Sequence, residues 1–215
     1  MCKKMLLAMV LVFSMSLVVS AQTWSMMDDY SELPSMSNPD GNWMYGFYNA
    51  GDGLGRAFVS LWVHEIIAAD PSLERWGDSF NLNLNAGKLV QDWQDPWATY
   101  TVPAGDGWLT PGDPYDSGMG WIAPEDLTVT ITAECYGIGS GNVIASLVHI
   151  SDCTHGIVEN MGAHGTNTGC TGTRSLLQSQ SGIQYYNYDY SRENPLVLTA
   201  TLDVSAGDML TLECN

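Results

Sequence analysis

The chain has 215 residues, of which 45% are apolar, and its 24 acidic side chains outnumber seven lysines and arginines for a net charge of −17. This composition can build a core and excludes a disordered tail, a coiled coil and a collagen. The negative charge repels nucleic-acid backbones and anionic membranes, so neither is expected as a partner. Metal cations, cationic proteins and neutral polymers remain as ligand classes, unless the acids simply solvate the surface.

The first 21 residues have the pattern of a secretory signal peptide. Two lysines precede a mostly apolar run from Met5 to Val19, and small or β-branched residues lead to the expected cleavage before Gln22. The run is shorter than the about 20 residues that a membrane-spanning helix needs. We therefore expect a secreted or cell-surface protein whose mature chain is not inserted in a membrane.

One domain is expected after this segment. Residues 22–36 are polar and rich in turn formers, which indicates an N-terminal arm, and residues 37–215 carry strand patterns over a length that suits a single core. The chain stops at Asn215 directly after the last strand pattern. That position raises the expectation that the sequence is a C-terminally truncated fragment.

Alternation of apolar and polar residues with a period of two predicts β-strands, and a convincing amphipathic helix of three turns is absent from the sequence. The pattern is clearest in residues 127–135, 196–204 and 209–214, the last two joined by a turn over 205–208. Residues 151–182, rich in Gly, Thr, Ser and Asn, are interpreted as the largest loop. The remaining predicted elements are strands at 43–48, 57–64, 80–85, 142–150 and 183–190, and a turn of helix in 65–70. The fold class is therefore predicted to be all-β, an antiparallel β-sandwich of jelly-roll type.

Four cysteines follow the signal segment, and in a secreted chain they indicate two disulfides with three conceivable pairings. Cys153 and Cys170 bracket the Gly-rich segment and are expected to close it. Cys135 and Cys214 lie on the apolar faces of two strand patterns, where they could meet across the core or between adjacent strands.

Histidines near the first pair leave a zinc site as the alternative. Cys153 and His155 are two residues apart, and His164 and Cys170 follow. The spacing is not that of a known zinc finger, and an oxidising compartment favours the disulfide.

Aromatic residues beside acids and amides are the main indication of a ligand. Trp and Tyr stack on the C–H faces of sugar rings, while Asp and Asn bond the hydroxyls. The predicted glycan-binding residues are Trp93, Asp95, Trp97, Tyr186, Tyr188 and Asp189. The competing interpretation is that many of these large side chains simply fill the core.

A structural calcium ion is a second candidate ligand. Asp113, Asp116 and Asp126 offer oxygen ligands within a short stretch, but no EF-hand spacing is present and calcium takes six to eight oxygens. Turn formation by aspartates beside Gly and Pro is the simpler explanation.

Three segments together resemble a known family. Asn38–Gly46, Leu109–Gly112 with Trp121–Pro124, and Leu202–Asp208 are similar, in order, to the Asn-Pro-Asn-Gly-x-Trp-x-Tyr-Gly opening, the Leu-x-Pro-Gly and Trp-x-Ala-Pro centre and the Ala-Gly-Asp ending of secreted bacterial jelly-roll domains of planctomycete type. The resemblance implies a fold similar to carbohydrate-binding accessory domains. It implies no catalytic residues, and the cysteine-bearing 153–170 region is longer than in that family.

Two short segments are similar to blocks of the Gly-Asp-Ser-Leu esterases, namely Gly77–Phe80 and Asp152–His155. That family is α/β, whereas this sequence predicts strands alone, so the similarity carries little weight. The predicted function is non-catalytic binding of a carbohydrate polymer at the cell exterior. An extracellular structural or surface-layer module and a secreted hydrolase are the alternatives, and the oligomeric state stays open.

Overall fold

The structure is a computed structural model that describes residues 22–30, 38–49, 58–61, 63–66, 73–77, 85–94, 101–110, 115–136, 143–158, 167–183, 190 and 193–215. Every regular element in these ranges is a β-strand, and the paired strands are antiparallel. The prediction of an all-β chain is confirmed. Within the described ranges no helix is long and apolar enough to cross a membrane. The predicted signal peptide lies outside these ranges.

The strands are numbered in chain order. They are β1 Trp43–Asn49, β2 Phe58–Ser60, β3 Val63–Ile66, β4 Leu73–Gly77, β5 Asn85–Leu89, β6 Trp93–Gln94, β7 Thr101–Val102, β8 Gly107–Thr110, β9 Tyr115–Ile122, β10 Leu127–Cys135, β11 Val143–Val158, β12 Asn167–Ile183, β13 Leu196–Val204 and β14 Met209–Cys214.

Six of the strands close into a barrel in the order β1, β2, β12, β11, β14 and β9. The remaining strands form a four-stranded sheet β3-β4-β5-β8 and two-stranded sheets β10-β13 and β6-β7. Closure satisfies the backbone groups of both edge strands in the ring, which an open sheet would leave exposed. This arrangement differs from the predicted β-sandwich, because a sandwich has two facing sheets whereas six of these strands form a closed ring.

The interior of this narrow barrel is filled by a few large side chains. Phe58 lies at its centre with no solvent exposure. Glycines on the facing strands make room for the ring, since a Cβ at Gly118 would lie 2.9 Å from Phe58 Cε2 and a Cβ at Gly46 would lie 2.5 Å from Phe58 Cε1. An eight-stranded barrel just accommodates its own side chains, so a six-stranded one needs such glycines.

A second apolar layer lies between the barrel and the sheet β3-β4-β5-β8. Tyr45 of β1 stacks on Trp76 of β4 with ring centroids 5.9 Å apart. The described part of the N-terminal arm covers this layer, because Trp24 packs on Trp121 with centroids 4.9 Å apart and Tyr30 meets Tyr45 edge-on at 5.0 Å. Large aromatics from the arm and from three strands therefore stabilise one contiguous core.

A third apolar layer lies between the barrel and the two-stranded sheet β10-β13. Leu147 of β11 and Leu198 of β13 are buried in it, with Leu196 and Ile183. The amide of Thr199 donates to Gln178 Oε1 of β12 at 2.7 Å, so a side chain satisfies part of the edge of β13. Strand β10 was predicted at residues 127–135 and strand β13 at residues 196–204, and both bounds are confirmed.

The loop predicted for residues 151–182 is wrong over most of its length. Strand β11 continues to Val158, and β12 covers Asn167–Ile183, so the two form a long antiparallel ladder. Thr and Ser are compatible with strands where a partner supplies the ladder, and composition alone missed this long-range pairing. The ladder contains irregularities, one of them between Ser151 and Thr154, where Asp152 has a φ of 53°.

The predictions for residues 57–66 are corrected in detail. The single strand predicted over 57–64 is divided into β2 and β3. The helical turn predicted in 65–70 is wrong at Glu65 and Ile66, which are the last residues of β3, and residues 67–70 lie outside the described residues. The strand predicted at 80–85 lies outside the described residues except for Asn85, and the one at 183–190 lies outside them except for Ile183 and Tyr190.

Candidate functional site

The predicted glycan-binding residues fall largely outside the described ranges. Trp93 is described: it is half-buried, begins β6 and pairs with Val102 of β7. The other five, Asp95, Trp97, Tyr186, Tyr188 and Asp189, lie outside the described residues. Aromatic stacking on sugars therefore stays a prediction.

The described tryptophans serve the core. Trp43, Trp76 and Trp121 are buried, and Trp24 and Trp108 are half-buried. Trp108 is further fixed by its indole Nε1, which donates to the Glu74 carbonyl at 3.2 Å. For these residues the core interpretation is the correct one.

Of the predicted calcium ligands, the two that the structure describes, Asp116 and Asp126, are not brought together. Asp113 lies outside the described residues, Asp116 is near the start of β9, and Asp126 follows the end of that strand. The six steps from Asp116 to Ile122 alone rise about 20 Å. Each carboxylate has a protein donor instead: Asn215 Nδ2 donates to Asp116 at 2.5 Å, and the amide of Ala206 donates to Asp126 at 2.8 Å.

One of the two predicted disulfides is formed. Cys153 of β11 is bonded to Cys170 of β12, which confirms that pair. The structure corrects the second, because Cys135 and Cys214 are free thiols. They lie on β10 and β14, which belong to different sheets. Burial raises the pKa of Cys135 to about 11 and that of Cys214 to about 12.

Three of the stretches that carry the family resemblance, those around Asn42, Ile122 and Asp208, meet at one end of the barrel. The Asn42 side chain donates to the Ile122 carbonyl at 2.8 Å, and the Ile122 amide donates to the Asn42 carbonyl at 2.7 Å. Ala123 exchanges backbone hydrogen bonds of 2.8 Å with Asp208 and Gly207. These motif residues therefore hold three turns together and form part of the fold.

Asp208 is the centre of that end. Its Oδ2 accepts from the Ser205 amide and from His149 Nε2, both at 3.0 Å, and its Oδ1 accepts from the Asp152 amide at 3.0 Å. Burial opposes ionisation of this carboxyl, but the three hydrogen bonds and the charge of His149 together lower its pKa. The Asp of the Ala-Gly-Asp ending thus ties the β13–β14 turn to β11.

The clearest surface feature is the outer side of the sheet β10-β13, which we call the threonine face. Thr130 faces Thr201 with hydroxyl oxygens 2.8 Å apart, and Thr132 faces Thr199 at 3.3 Å. Rows along the strands repeat about every 6.7 Å. All members are exposed: Thr128, Thr130, Thr132, Glu134, Val197, Thr199, Thr201 and Asp203.

This face is rigid for a local reason. The outward threonines alternate with apolar residues that pack against the core, as in the run Val129, Ile131 and Ala133. Threonine is β-branched and fits a pleated surface, and cross-strand hydroxyl pairs stabilise it further. The hydroxyls are therefore held in a fixed array.

An open surface recess lies at one end of the threonine face. Thr128 donates to Asp203 Oδ1 at 2.5 Å, and both residues line the recess together with Asp126. The recess combines carboxylate and hydroxyl groups with apolar edges, and such groups bond polyhydroxylated ligands. Its lining consists of Asp126, Leu127, Thr128, Asp203, Val204 and Ser205.

A charged cluster lies near the start of β9, beside Asp116. The Arg174 guanidinium bonds Glu213 and lies 4.2 Å above the centre of the Tyr48 ring, and Thr211 donates to Glu213 at 2.7 Å. Burial raises the pKa of both Glu213 and Asp116, while the charge of Arg174 opposes the rise. Glu213 is 1% exposed, so its carboxylate is held in the interior rather than presented at the surface.

Comparison with protein-family models, with curated proteins and with solved structures found no match for this chain. The resemblance to secreted jelly-roll domains therefore stays a prediction. Sequence reasoning missed the threonine face as a site, although the alternation of threonines in residues 127–135 was visible. The missing step was that the partner strand also presents threonines in register.

Proposed function

We propose that the protein is a non-catalytic binding module of the cell exterior and that its ligand is a neutral carbohydrate polymer. The threonine face, with the recess that continues it, carries this proposal. The Cys153–Cys170 disulfide agrees with an oxidising, extracellular location.

The chemistry of the face suits a repeating polyhydroxylated ligand. Threonine hydroxyls both donate and accept, and threonine methyl groups pack on apolar C–H surface. A fixed array loses little side-chain entropy on binding, which favours affinity. Asp203 and Asp126 at the recess add acceptors for sugar hydroxyls.

We also propose the jelly-roll sandwich as the architecture behind this face. Strands β10 and β13 pack on β11, β12 and β14 with apolar side chains between them, in the manner of two facing antiparallel sheets. Trp93 and the predicted aromatic residues outside the described ranges stay proposed glycan contacts.

The test is a binding panel. The full chain, without its first 21 residues, is mixed with soluble glycans and insoluble polysaccharides, once with calcium and once with a chelator. Saturable binding of a neutral polysaccharide supports the proposal. Loss of this binding in the presence of chelator would show that binding also requires a metal ion. A folded protein that binds no glycan in either condition contradicts the proposal.

A second candidate function is a structural module that contacts other proteins. The exposed large hydrophobic side chains of the described residues, Ile66, Ile144, Leu176 and Val197, are aliphatic, and an aromatic-poor surface favours protein contacts over sugar stacking. Concentration-dependent self-association in sedimentation experiments, without glycan binding, would favour this function. A monomer at all concentrations that binds polysaccharide would exclude it.

A further inference from the structure

We propose that Cys153, His155 and Cys170 form a zinc site when the Cys153–Cys170 disulfide is reduced, so that the disulfide and the metal are alternative occupants of one position. The Sγ atoms and a ring nitrogen of His155 lie within 4.8 Å of one another. The inference is independent of the proposed glycan binding.

The ladder between β11 and β12 brings the three residues together. His155 pairs directly with Cys170, and Cys153 lies two residues before His155, within the irregularity between Ser151 and Thr154. Directly paired residues point to the same side of a sheet, and the disulfide places the Cys153 sulfur against that of Cys170. Two neighbouring strands therefore supply three ligand atoms on one side.

His155 is held in the tautomer that a metal needs. Its Nε2 lies 2.7 Å from the carbonyl oxygen of Gly207, and because a carbonyl only accepts, Nε2 carries the proton and donates. In the neutral ring the lone pair is then on Nδ1, the other nitrogen. Metal-binding histidines characteristically donate their second nitrogen to a carbonyl or carboxylate, which fixes the ring.

The surroundings also suit a thiophilic cation. Cys170 has no solvent exposure and Cys153 packs against the same apolar cluster, whereas His155 is exposed. Two thiolates balance the charge of Zn²⁺, and the exposed side leaves a fourth position for water. Two sulfurs on tetrahedral zinc lie about 3.8 Å apart, so they need only separate modestly after reduction.

The Cys153–Cys170 disulfide must be reduced before the metal can bind. A dithiol reductant gives two electrons and two protons to the disulfide, which becomes the Cys153 and Cys170 thiols while the reductant becomes a disulfide. Zn²⁺ then displaces the two thiol protons, and two Zn–S bonds and one Zn–N bond form. A small-molecule disulfide reverses the sequence: it takes two electrons from the two thiolates and, with two protons, becomes two thiols, while the Cys153–Cys170 bond forms again and Zn²⁺ is released.

The test uses Co²⁺ as a spectroscopic probe on the whole chain without its first 21 residues. The protein is reduced with a phosphine, freed of reductant without air and titrated with Co²⁺ and then Zn²⁺. One Co²⁺ per chain with a thiolate charge-transfer band, displaced by Zn²⁺, is the expected result. The oxidised protein is the matched control, because it keeps the Cys135 and Cys214 thiols and lacks the other two.

The variant His155→Ala decides the role of the histidine. Loss of a group that merely orients a ligand costs about 10–100-fold in metal affinity, so loss of the ligand itself should cost at least tenfold. His149→Ala, which removes a histidine bonded to Asp208 instead, should bind Co²⁺ as the reduced parent does. Equal affinity of the parent and His155→Ala, or no charge-transfer band, would overturn the proposal.

Circular dichroism of the reduced protein covers the case in which reduction unfolds the chain. Zn²⁺ should then restore the strand signal of the parent and fail to restore that of His155→Ala at the same metal concentration. A reduced parent that stays unfolded in excess Zn²⁺ would equally overturn the site.

Discussion

If the threonine face binds the polysaccharide, removing its hydroxyls should weaken binding by an amount that follows from the hydrogen bonds lost. Replacing Thr130 and Thr201 together by valine removes two facing hydroxyls and keeps the shape of both side chains. In a complex each hydroxyl contributes about 0.5–1.5 kcal/mol of net hydrogen-bond energy. Loss of both should therefore weaken binding by about 1–3 kcal/mol, which corresponds to about 5–150-fold in Kd.

The same change should leave the free protein intact. Both hydroxyls of the 2.8 Å pair disappear together, so no polar partner is left unsatisfied, and both positions are exposed. Valine is as suited to a strand as threonine. The free energy of unfolding should change by no more than about 0.5 kcal/mol.

The assay is a binding isotherm on the polysaccharide identified by the panel, with urea unfolding of the same samples. The matched control is Ser146→Ala with Ser179→Ala, which removes another exposed cross-strand hydroxyl pair, 3.3 Å apart, from the β11–β12 ladder. The control should bind as the parent does. Unchanged affinity of the valine variant, with unchanged stability, would refute the assignment of the face as the binding surface.

Three further outcomes concern the barrel and its disulfide. Burial raises the pKa of Glu213 above 4.5, so the folded chain binds the carboxyl proton more tightly than the unfolded chain does. The urea midpoint of unfolding should therefore fall as pH rises from about 4.5 through the raised pKa, and Glu213→Gln should lack this fall. The same pH dependence in the parent and in Glu213→Gln would contradict the prediction. Gly120→Ala should lower the free energy of unfolding by about 1–3 kcal/mol, because the new Cβ would lie 2.9 Å from Met209 Sδ. Gly156→Ala, where a Cβ would meet nothing within 4 Å, should leave the free energy of unfolding nearly unchanged. Equal losses of stability in the two variants, measured by denaturant unfolding, would refute the packing argument. Replacing both Cys153 and Cys170 by serine should lower the melting temperature and remove about 2–4 kcal/mol, and an unchanged midpoint would show that the disulfide adds no stability.

Strands with one covered and one exposed side were predictable to the residue. Strand β10 alternates between half-buried and exposed positions throughout, so its period of two is visible in the sequence. Strand β14 shows the limit of that reasoning. Thr211 and Glu213 mark the side opposite Leu210 and Leu212 as polar, yet both polar residues are buried inside the barrel. Alternation cannot reveal that a polar side faces a closed interior, because closure depends on pairing among distant strands.

The candidate site was less predictable than the fold. Aromatic residues drew attention because stacking on sugars needs them, but the sequence alone does not distinguish a stacking tryptophan from a core one such as Trp76 or Trp121. The threonine face depends on the register between β10 and β13, which are separated by about 70 residues of chain, as in the Thr130–Thr201 pair. A local pattern can show an outward threonine on one strand, but only the pairing shows that hydroxyls meet.

The distribution of charge on the threonine face narrows the class of ligand. The chain carries 24 acidic residues, yet the rows formed by Thr130 with Thr201 and Thr132 with Thr199 have none, and carboxylates occur only at the ends, in Asp203 and Glu134. A neutral polymer can approach the middle rows without removing water from a carboxylate, which would otherwise cost free energy. An anionic polymer would meet the repulsion of the whole acidic surface over the Debye length of about 8 Å at physiological salt. The face therefore combines hydroxyls suited to sugars with a charge pattern that favours neutral polysaccharides over acidic ones.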